Sequence, residues 1–294
     1  MKIIHVADPH LTPPGERLFG LDPNARLSAA IADINAFHRD AALVFIAGDL
    51  VNDGKPASYA ALAHALGTLK PPCRLLMGNH DERSAFRAAF PDHPVDAAGF
   101  VQSVCETPEG AFVLLDTLDP GHDSGRLCQA RLDWLKGALR ALAGRSVFLA
   151  MHHPPAPIGV PVLDRIALVD EEAFAEVIAH SGVNIRHIFC GHVHCLTHGA
   201  WRGIPFSAQR SLIHQFEAPL APLDERIVGS YEQPAYSIAV IEPRSIAIHV
   251  REFLDKSPRF SLANPVARRA RSPSEVPKLA SRSGGLSGWP TPNA

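Results

Sequence analysis

Five short apolar runs, each closing on Asp, Asn or His, constrain this 294-residue chain more than any other feature. Residues 3–7 run into Asp8-x-His10, 42–47 into Gly48-Asp49, and 74–77 into Gly78-Asn79-His80-Asp81. Residues 147–151 run into His152-His153, and 185–190 into Gly191-His192-Val193-His194. Apolar runs of this length, rich in β-branched residues, favour strand over helix. Helical patterns lie between them at 23–37, 56–69, 129–142 and 171–180, with one further strand pattern at 111–115. Continuous apolar strands separated by helices predict an α/β chain whose sheet is covered on both faces. Ligands of such sheets gather beyond the carboxyl ends of the strands, so the five polar clusters are expected on one rim. After residue 194 the rhythm becomes all-β: 236–241 and 245–251 flank Glu242-Pro243-Arg244 and predict a hairpin.

The residue types in those clusters point to metal chemistry. Carboxylate oxygens and imidazole nitrogens without thiolates suit Fe, Mn, Zn or Co. Asp8, His10, Asp49, Asn79, His152, His192 and His194 are seven candidate ligands, too many for one ion. Two divalent or trivalent ions sharing a bridging carboxylate use all seven. A pair of ions about 3.5–4 Å apart clamps the attacking and leaving oxygens of an in-line displacement, a geometry that belongs to phosphoryl transfer. Cys190 and Cys195 flank the last block, but the histidines already fill the pattern.

Net charge is −2, and it is unevenly spread. Residues 257–294 hold six Arg or Lys against Glu275 alone, which leaves −7 on residues 1–256. That stretch is rich in Pro and Ser, has little to bury, and is expected to be a disordered basic tail. An acidic body argues against a polymeric nucleic acid partner. No apolar run approaches the ~18 residues of a membrane span, and the five cysteines lack a CxxC pair. Reduced cysteines and a cytoplasmic location are expected.

Taken in order, Asp8-x-His10, Gly48-Asp49, Gly78-Asn79-His80-Asp81, His152 and Gly191-His192-x-His194 resemble the signature of the calcineurin-like metallophosphoesterases over roughly residues 1–200. Leu115-Asp116-Thr117, Pro120-Gly121-His122 with Gly125, and Leu132-Asp133-Trp134-Leu135 are similar to the class III cyclic nucleotide phosphodiesterases. Gly48-Asp49-Leu50-Val51-Asn52 and Met151-His152-His153-Pro154-Pro155 look like the bacterial glycerophosphodiesterases of the same group. The resemblance implies an α/β fold of four layers, α/β/β/α, with two mixed sheets flanked by helices. It implies a catalytic domain over 1–256, in which 196–256 supply later strands and a small cap or dimerisation extension. By the same resemblance Asp8, His10 and His194 hold one ion, Asn79, His152 and His192 the other, and Asp49 bridges.

The implied reaction is hydrolysis of small phosphodiesters, cyclic nucleotides or glycerophosphodiesters, by a water or hydroxide held between the ions. His80 is expected to contact a phosphoryl oxygen or assist the leaving alkoxide, with Asp81 orienting its ring. His214 and Asn52 are expected substrate contacts, and His122 and Ser124 candidates for the pocket border. His5, His153, His187 and His198 are expected to be structural or surface residues. A homo-oligomer is expected, a dimer or larger. The alternatives are a phosphomonoesterase, nucleotide pyrophosphatase or nuclease of the same fold, or a scaffold that binds without catalysis.

Overall fold

The apolar strands have two hydrophobic faces each, and both are covered. The computed structural model describes residues 1–217 and 227–261. Its first half comprises β1 (Lys2–Val6), α1 (Pro23–Phe37), β2 (Leu43–Ile46), α2 (Pro56–Leu66), β3 (Cys73–Leu75) and α3 (Arg83–Ala89). The second runs β4 (Ser103–Thr107), β5 (Gly110–Leu114), α4 (Gln129–Ala141), β6 (Ser146–Met151), α5 (Pro161–Asp164), α6 (Glu171–Ala179) and β7 (Asn184–Cys190). Strands alone follow: β8 (Thr197–Trp201), β9 (Ile204–Ala208), β10 (Gln215–Phe216), β11 (Gly229–Ser230), β12 (Tyr236–Glu242) and β13 (Ser245–Arg251).

These strands make two large mixed sheets, ordered β13-β12-β1-β2-β3 and β4-β5-β6-β7-β9-β8, plus the small pair β10-β11. The side-chain period of two sorts each strand's residues between layers. On β1 and β2, Ile4, Val44 and Ile46 meet Leu27, Ile31 and Ile34 of α1. The alternate residues Ile3, Leu43 and Phe45 face Phe112, Phe148 and Phe189 of the other sheet. On that second sheet Val113, Leu149 and Ile188 point outward, toward Leu135 and Leu139 of α4 and Phe174 of α6. The outcome is the expected four-layer sandwich, helix, sheet, sheet, helix. Residues Met1–Leu254 form one compact unit, within which this sandwich lies.

Local chemistry sets the element ends. Asp22 caps α1 by accepting a hydrogen bond from the Ala25 N–H at 3.0 Å, and Pro23 opens the first turn. The second helix stops at Leu66, three residues short of the expected 69, because Gly67 ends the regular ladder and Leu69 turns back to the Leu66 carbonyl. The hairpin expected around Glu242-Pro243-Arg244 pairs β12 with β13. Strand β4, helix α3 and the β8–β9 hairpin carry no strong apolar pattern; β4 alternates between half-buried and exposed residues at a sheet edge. Residues 257–261 are exposed and lie outside helix or strand, and the remainder of the expected tail, 262–294, lies outside the described residues. Among the described residues no helix is long and apolar enough to cross a membrane.

Phe112 sits between the sheets with ring centroids 4.9 Å from Phe148 and 5.9 Å from both Phe45 and Phe189. Phe112→Ala should cost about 3–5 kcal/mol, read from the urea midpoint. A loss under about 1 kcal/mol would mean that the sheets are not packed face to face there.

Candidate metal centre

All five polar clusters leave the carboxyl ends of strands on one rim. Asp8 and His10 follow β1, Asp49 follows β2, Asn79 follows β3, His152 closes β6, and His192 and His194 follow β7. The turns are sharp. Asp8, His10, Asp49, His192 and His194 all have positive φ, between 45° and 72°. They are five of the seven non-glycine residues in that region among those described. Left-handed backbone is costly for histidine and persists where surroundings over-determine it, typically at functional sites. Neighbouring glycines give the turns room. A Cβ on Gly78 would strike Asp49, and one on Gly48, at φ 86°, would lie 2.5 Å from His152 Nδ1.

The donor atoms converge in two groups. In one, His10 Nε2 lies 3.0 Å from His194 Nε2 and 3.5 Å from Asp49 Oδ2, and His194 Nε2 lies 3.7 Å from Asp8 Oδ1. In the other, Asn79 Oδ1 lies 3.1 Å from both His152 Nε2 and His192 Nδ1. Asp49 belongs to both, since its Oδ1 is 3.5 Å from His152 Nε2. Outer hydrogen bonds aim the rings. His152 Nδ1–H donates to the Ala47 carbonyl at 2.7 Å, His192 Nε2–H to Ile166 at 3.0 Å, and His194 Nδ1–H to His214 at 3.0 Å. Each ring thus turns its other nitrogen toward the centre.

The electrostatics fit cations. Burial drives His10 and His192 down to about 3 and His194 well below its usual range, so these imidazoles are neutral donors. Burial, against the charge of His152, lifts the Asp8 carboxyl to about 8, and its Oδ2 is buried without a hydrogen-bond partner. Burial pulls His152 down, but the charges of Asp49 and Asp8 raise it to about 9. Burial favours a protonated Asp49, yet His152, by charge and hydrogen bond, with His10 and His80, holds it well below its usual range. Buried carboxylates beside an orphaned oxygen and three neutral imidazoles are costly alone and suited to metal ions.

His80 is exposed at the cleft, its ring centroid 4.8 Å from that of His10, and its Nδ1–H donates to the Asn52 carbonyl at 2.9 Å. Asp81 does not orient that ring. Its Oδ2 accepts from Leu50 N–H at 3.1 Å and Gly78 N–H at 2.8 Å, and its Oδ1 from Val51 N–H at 3.3 Å and the Tyr59 hydroxyl at 2.9 Å. The carboxylate therefore ties the Asp49 turn to the Asn79 turn. Burial, with the charge of Asp49 adding, lifts it to about 7. Asn52 and His214 line the cleft, a cavity of about 350 Å³, together with Asp123. His122 instead turns toward Asp119 at 3.3 Å, and its neighbour Asp123 takes the place at the cleft.

Although His153 lies close to His152 and His192, both of its nitrogens are engaged elsewhere. Its Nε2–H donates to the Asp123 carbonyl at 3.1 Å, and Nδ1 accepts from the Thr117 hydroxyl at 2.7 Å. His5 is buried and stacked on Phe45 at 4.8 Å. Neither Cys190 nor Cys195 joins the donor groups found among the described residues. Several residues that shape the rim carried no signal in the sequence. Arg26 of α1 donates to the Leu212 and Ile213 carbonyls beside His214, Phe216 stacks on His194 at 4.3 Å, and Phe19 lines the cleft.

Residues 1–196 match the family model described as calcineurin-like phosphoesterase. The chain belongs to the calcineurin-like phosphoesterases. Among similar proteins, a probable cyclic nucleotide phosphodiesterase of Rhodopseudomonas palustris is 44% identical over 271 residues, 91% of this chain and 98% of that one. A glycerophosphodiester phosphodiesterase of Enterobacter lignolyticus is 28% identical over 220 residues, 73% of this chain and 78% of that one. The fold is also that of a dimetal phosphatase from Danio rerio, with a TM-score of 0.64 at 15% identity over 86% of this chain and 96% of the other. This calcineurin-like phosphoesterase falls in the subgroup expected from its motifs and is an enzyme, a metal-dependent phosphodiester hydrolase.

Asp81→Ala would leave three backbone N–H groups without an acceptor, and the Tyr59 hydroxyl, which still accepts from Glu82 N–H, without a group to donate to. At about 1–3 kcal/mol per buried group, stability should drop by at least about 3 kcal/mol in urea unfolding, with metal content falling alongside. Wild-type stability would show that the carboxylate does not brace the two turns.

Proposed function

We propose that this rim holds two metal ions and hydrolyses small phosphodiesters, cyclic nucleotides and glycerophosphodiesters being the classes in view. Asp8, His10 and His194 hold one ion, Asn79, His152 and His192 the other, and Asp49 is shared. The observation that carries the reading is the orientation of Asp49, whose Oδ2 faces His10 and whose Oδ1 faces His152, both at 3.5 Å. A bridging anion offsets the repulsion of two cations, and the neutral Asn79 amide contributes an oxygen without further charge. The all-nitrogen-and-oxygen donor set suits Fe, Mn, Zn or Co. When bound, the ions lower the pKa of water and offset charge on phosphoryl oxygens.

The chain's own groups do the rest. His80, fixed through Nδ1 by the Asn52 carbonyl, presents Nε2 to the cleft. A proton on that nitrogen passes to the departing alkoxide, so water and diester become monoester and alcohol. Asn52 and His214 border the same space and are assigned to substrate contact. The modest cavity and the acidic body favour a small diester over a polymer.

Asp49→Ala should lose both ions and nearly all turnover, measured as metal content and diesterase rate; a variant with two ions and full activity would remove the bridge. His80→Ala should keep its metal and slow about 10²–10⁴-fold, whereas metal loss would make His80 a ligand. Chelated enzyme should recover with Mn²⁺ or Fe²⁺, and recovery with Mg²⁺ alone would point to another kind of centre.

Five unpaired cysteines support a reducing, cytoplasmic setting. Residues 1–256 are assigned to catalysis, with 196–256 as the segment through which copies associate. Its strands β8 and β13 are the sheet edges on that side among the described residues. Size exclusion with light scattering should give a dimer or larger particle, and a clean monomer would exclude that assignment.

A further inference from the structure

One residue at the cleft, Phe19, combines an unfavourable backbone with an exposed ring. Phe19 occupies a two-residue turn in which Leu18 and Leu21 exchange both backbone hydrogen bonds at 2.9 Å. Such a turn requires positive φ at both central positions, a place for Asn or Gly. Gly20 meets this at 77°, but Phe19 sits at 49°. The residue is also 62% exposed. A bulky residue in left-handed backbone with its ring in water is unfavourable twice over, and such strain concentrates at ligand sites.

The surroundings say what kind of site. The Phe19 ring stands edge-on to His214 at 4.8 Å, and His214 is 5.7 Å from His10, a candidate metal ligand. Phe216 lies flat against His194 at 4.3 Å and 4°. Tyr231, 69% exposed, donates its hydroxyl to the Phe19 carbonyl at 3.1 Å and so pins the turn. Phe19, Phe216, Ile227 and Tyr231 line an alcove that shares Phe19, His214, Phe216 and Ile227 with the metal cleft. Among the described residues that line the alcove there is no carboxylate, lysine or arginine.

We propose that this alcove is a nucleobase subsite, in which Phe19 and Tyr231 receive the base of a cyclic nucleotide whose phosphate lies at the metal centre. The proposal rests on the phosphodiesterase reading and selects among its substrates. An aromatic recess whose described lining carries no carboxylate, lysine or arginine, one side chain away from the donor atoms, matches a substrate with a planar ring one sugar away from phosphorus. Base–aromatic stacking tolerates any base, so the subsite ranks nucleotides above ring-free diesters without choosing between purines. The trimethylammonium of a choline headgroup also binds aromatic faces, but no carboxylate among the described lining residues offsets its charge.

Two measurements on the metal-loaded enzyme test this. Phe19→Ala and Tyr231→Ala alter exposed rings, so both should fold. Each should raise KM for cyclic AMP about tenfold, and the ratio of kcat/KM for cyclic AMP to that for glycerophosphocholine should fall by a similar factor. Phe19→Tyr, which keeps a stacking ring, should restore the KM. Independently, the 5′-monophosphate of 2-aminopurine riboside should lose fluorescence on binding the wild type, by stacking, and lose less on binding Phe19→Ala. An unchanged KM with no quenching overturns the subsite while diester hydrolysis stands. A ratio that rises, because glycerophosphocholine suffers more, also overturns it and assigns the alcove to a quaternary ammonium. Quenching that Phe19→Ala weakens, in an enzyme that cleaves no diester, supports the subsite and refutes the hydrolase reading instead.

Discussion

Crowding of buried polar donors around Asp49 is the condition that the rest of the molecule satisfies. Seven donor side chains, six of them buried, crowd one centre with the charge of His152 set against the carboxyls of Asp8 and Asp49, an arrangement that cations relieve. The protein supplies no lysine or arginine to the cleft among its described lining residues. It holds the donors in place by three devices. Left-handed backbone at five of them forces the chain to double back over the strand ends. Backbone carbonyls of Ala47, Ile166 and His214 lock the outer nitrogens of three rings. Asp81 gathers two turns from below through four hydrogen bonds. Such preorganisation is what a metal site needs, because ligands that must be held near one another cannot relax apart.

Much of this was legible in the sequence, for a physical reason. In an α/β sheet a side chain just past a strand end is placed by the strand itself, so Asp8, Asp49, Asn79, His152 and His192 announced a common rim by position alone. What adjacency cannot report is direction. Asp81 follows His80 in the chain, yet the turn between them sends one carboxylate inward to backbone amides and the other side chain out to the cleft. For the same reason His122, a candidate for the pocket border, turns to Asp119 while Asp123 lines the cleft. Arg26 and Tyr59 reach the site from helices through contacts with no local pattern. Phe19 was hidden because its turn, Leu18-Phe19-Gly20-Leu21, places an aromatic where such turns ordinarily place Asn.

The two sheets divide the labour unevenly. Both contribute donors, but the aromatic layer of Phe45, Phe112, Phe148 and Phe189 between them fixes how their rims line up. Ligands from β1, β2 and β3 meet ligands from β6 and β7 across that layer. A dense core is stiff, so the separation of the two donor groups is set by packing far from the donors themselves.

The order of strands in the first sheet has a temporal consequence. Strand β1, which delivers Asp8 and His10, is flanked on one side by β12, and the Met1 carbonyl accepts from Ile241 N–H at 2.8 Å. The Asp8 and Ala7 carbonyls also accept from Ser211 and Leu212. A polypeptide emerging from the ribosome releases residues 8 and 10 first and their supporting neighbours more than two hundred residues later. Pairing with β2 can brace this first part of the centre early, but its contacts to β12 and to residues 211–212 form only once the later chain has followed. The donors of β6 and β7 likewise arrive only with the second half of the chain.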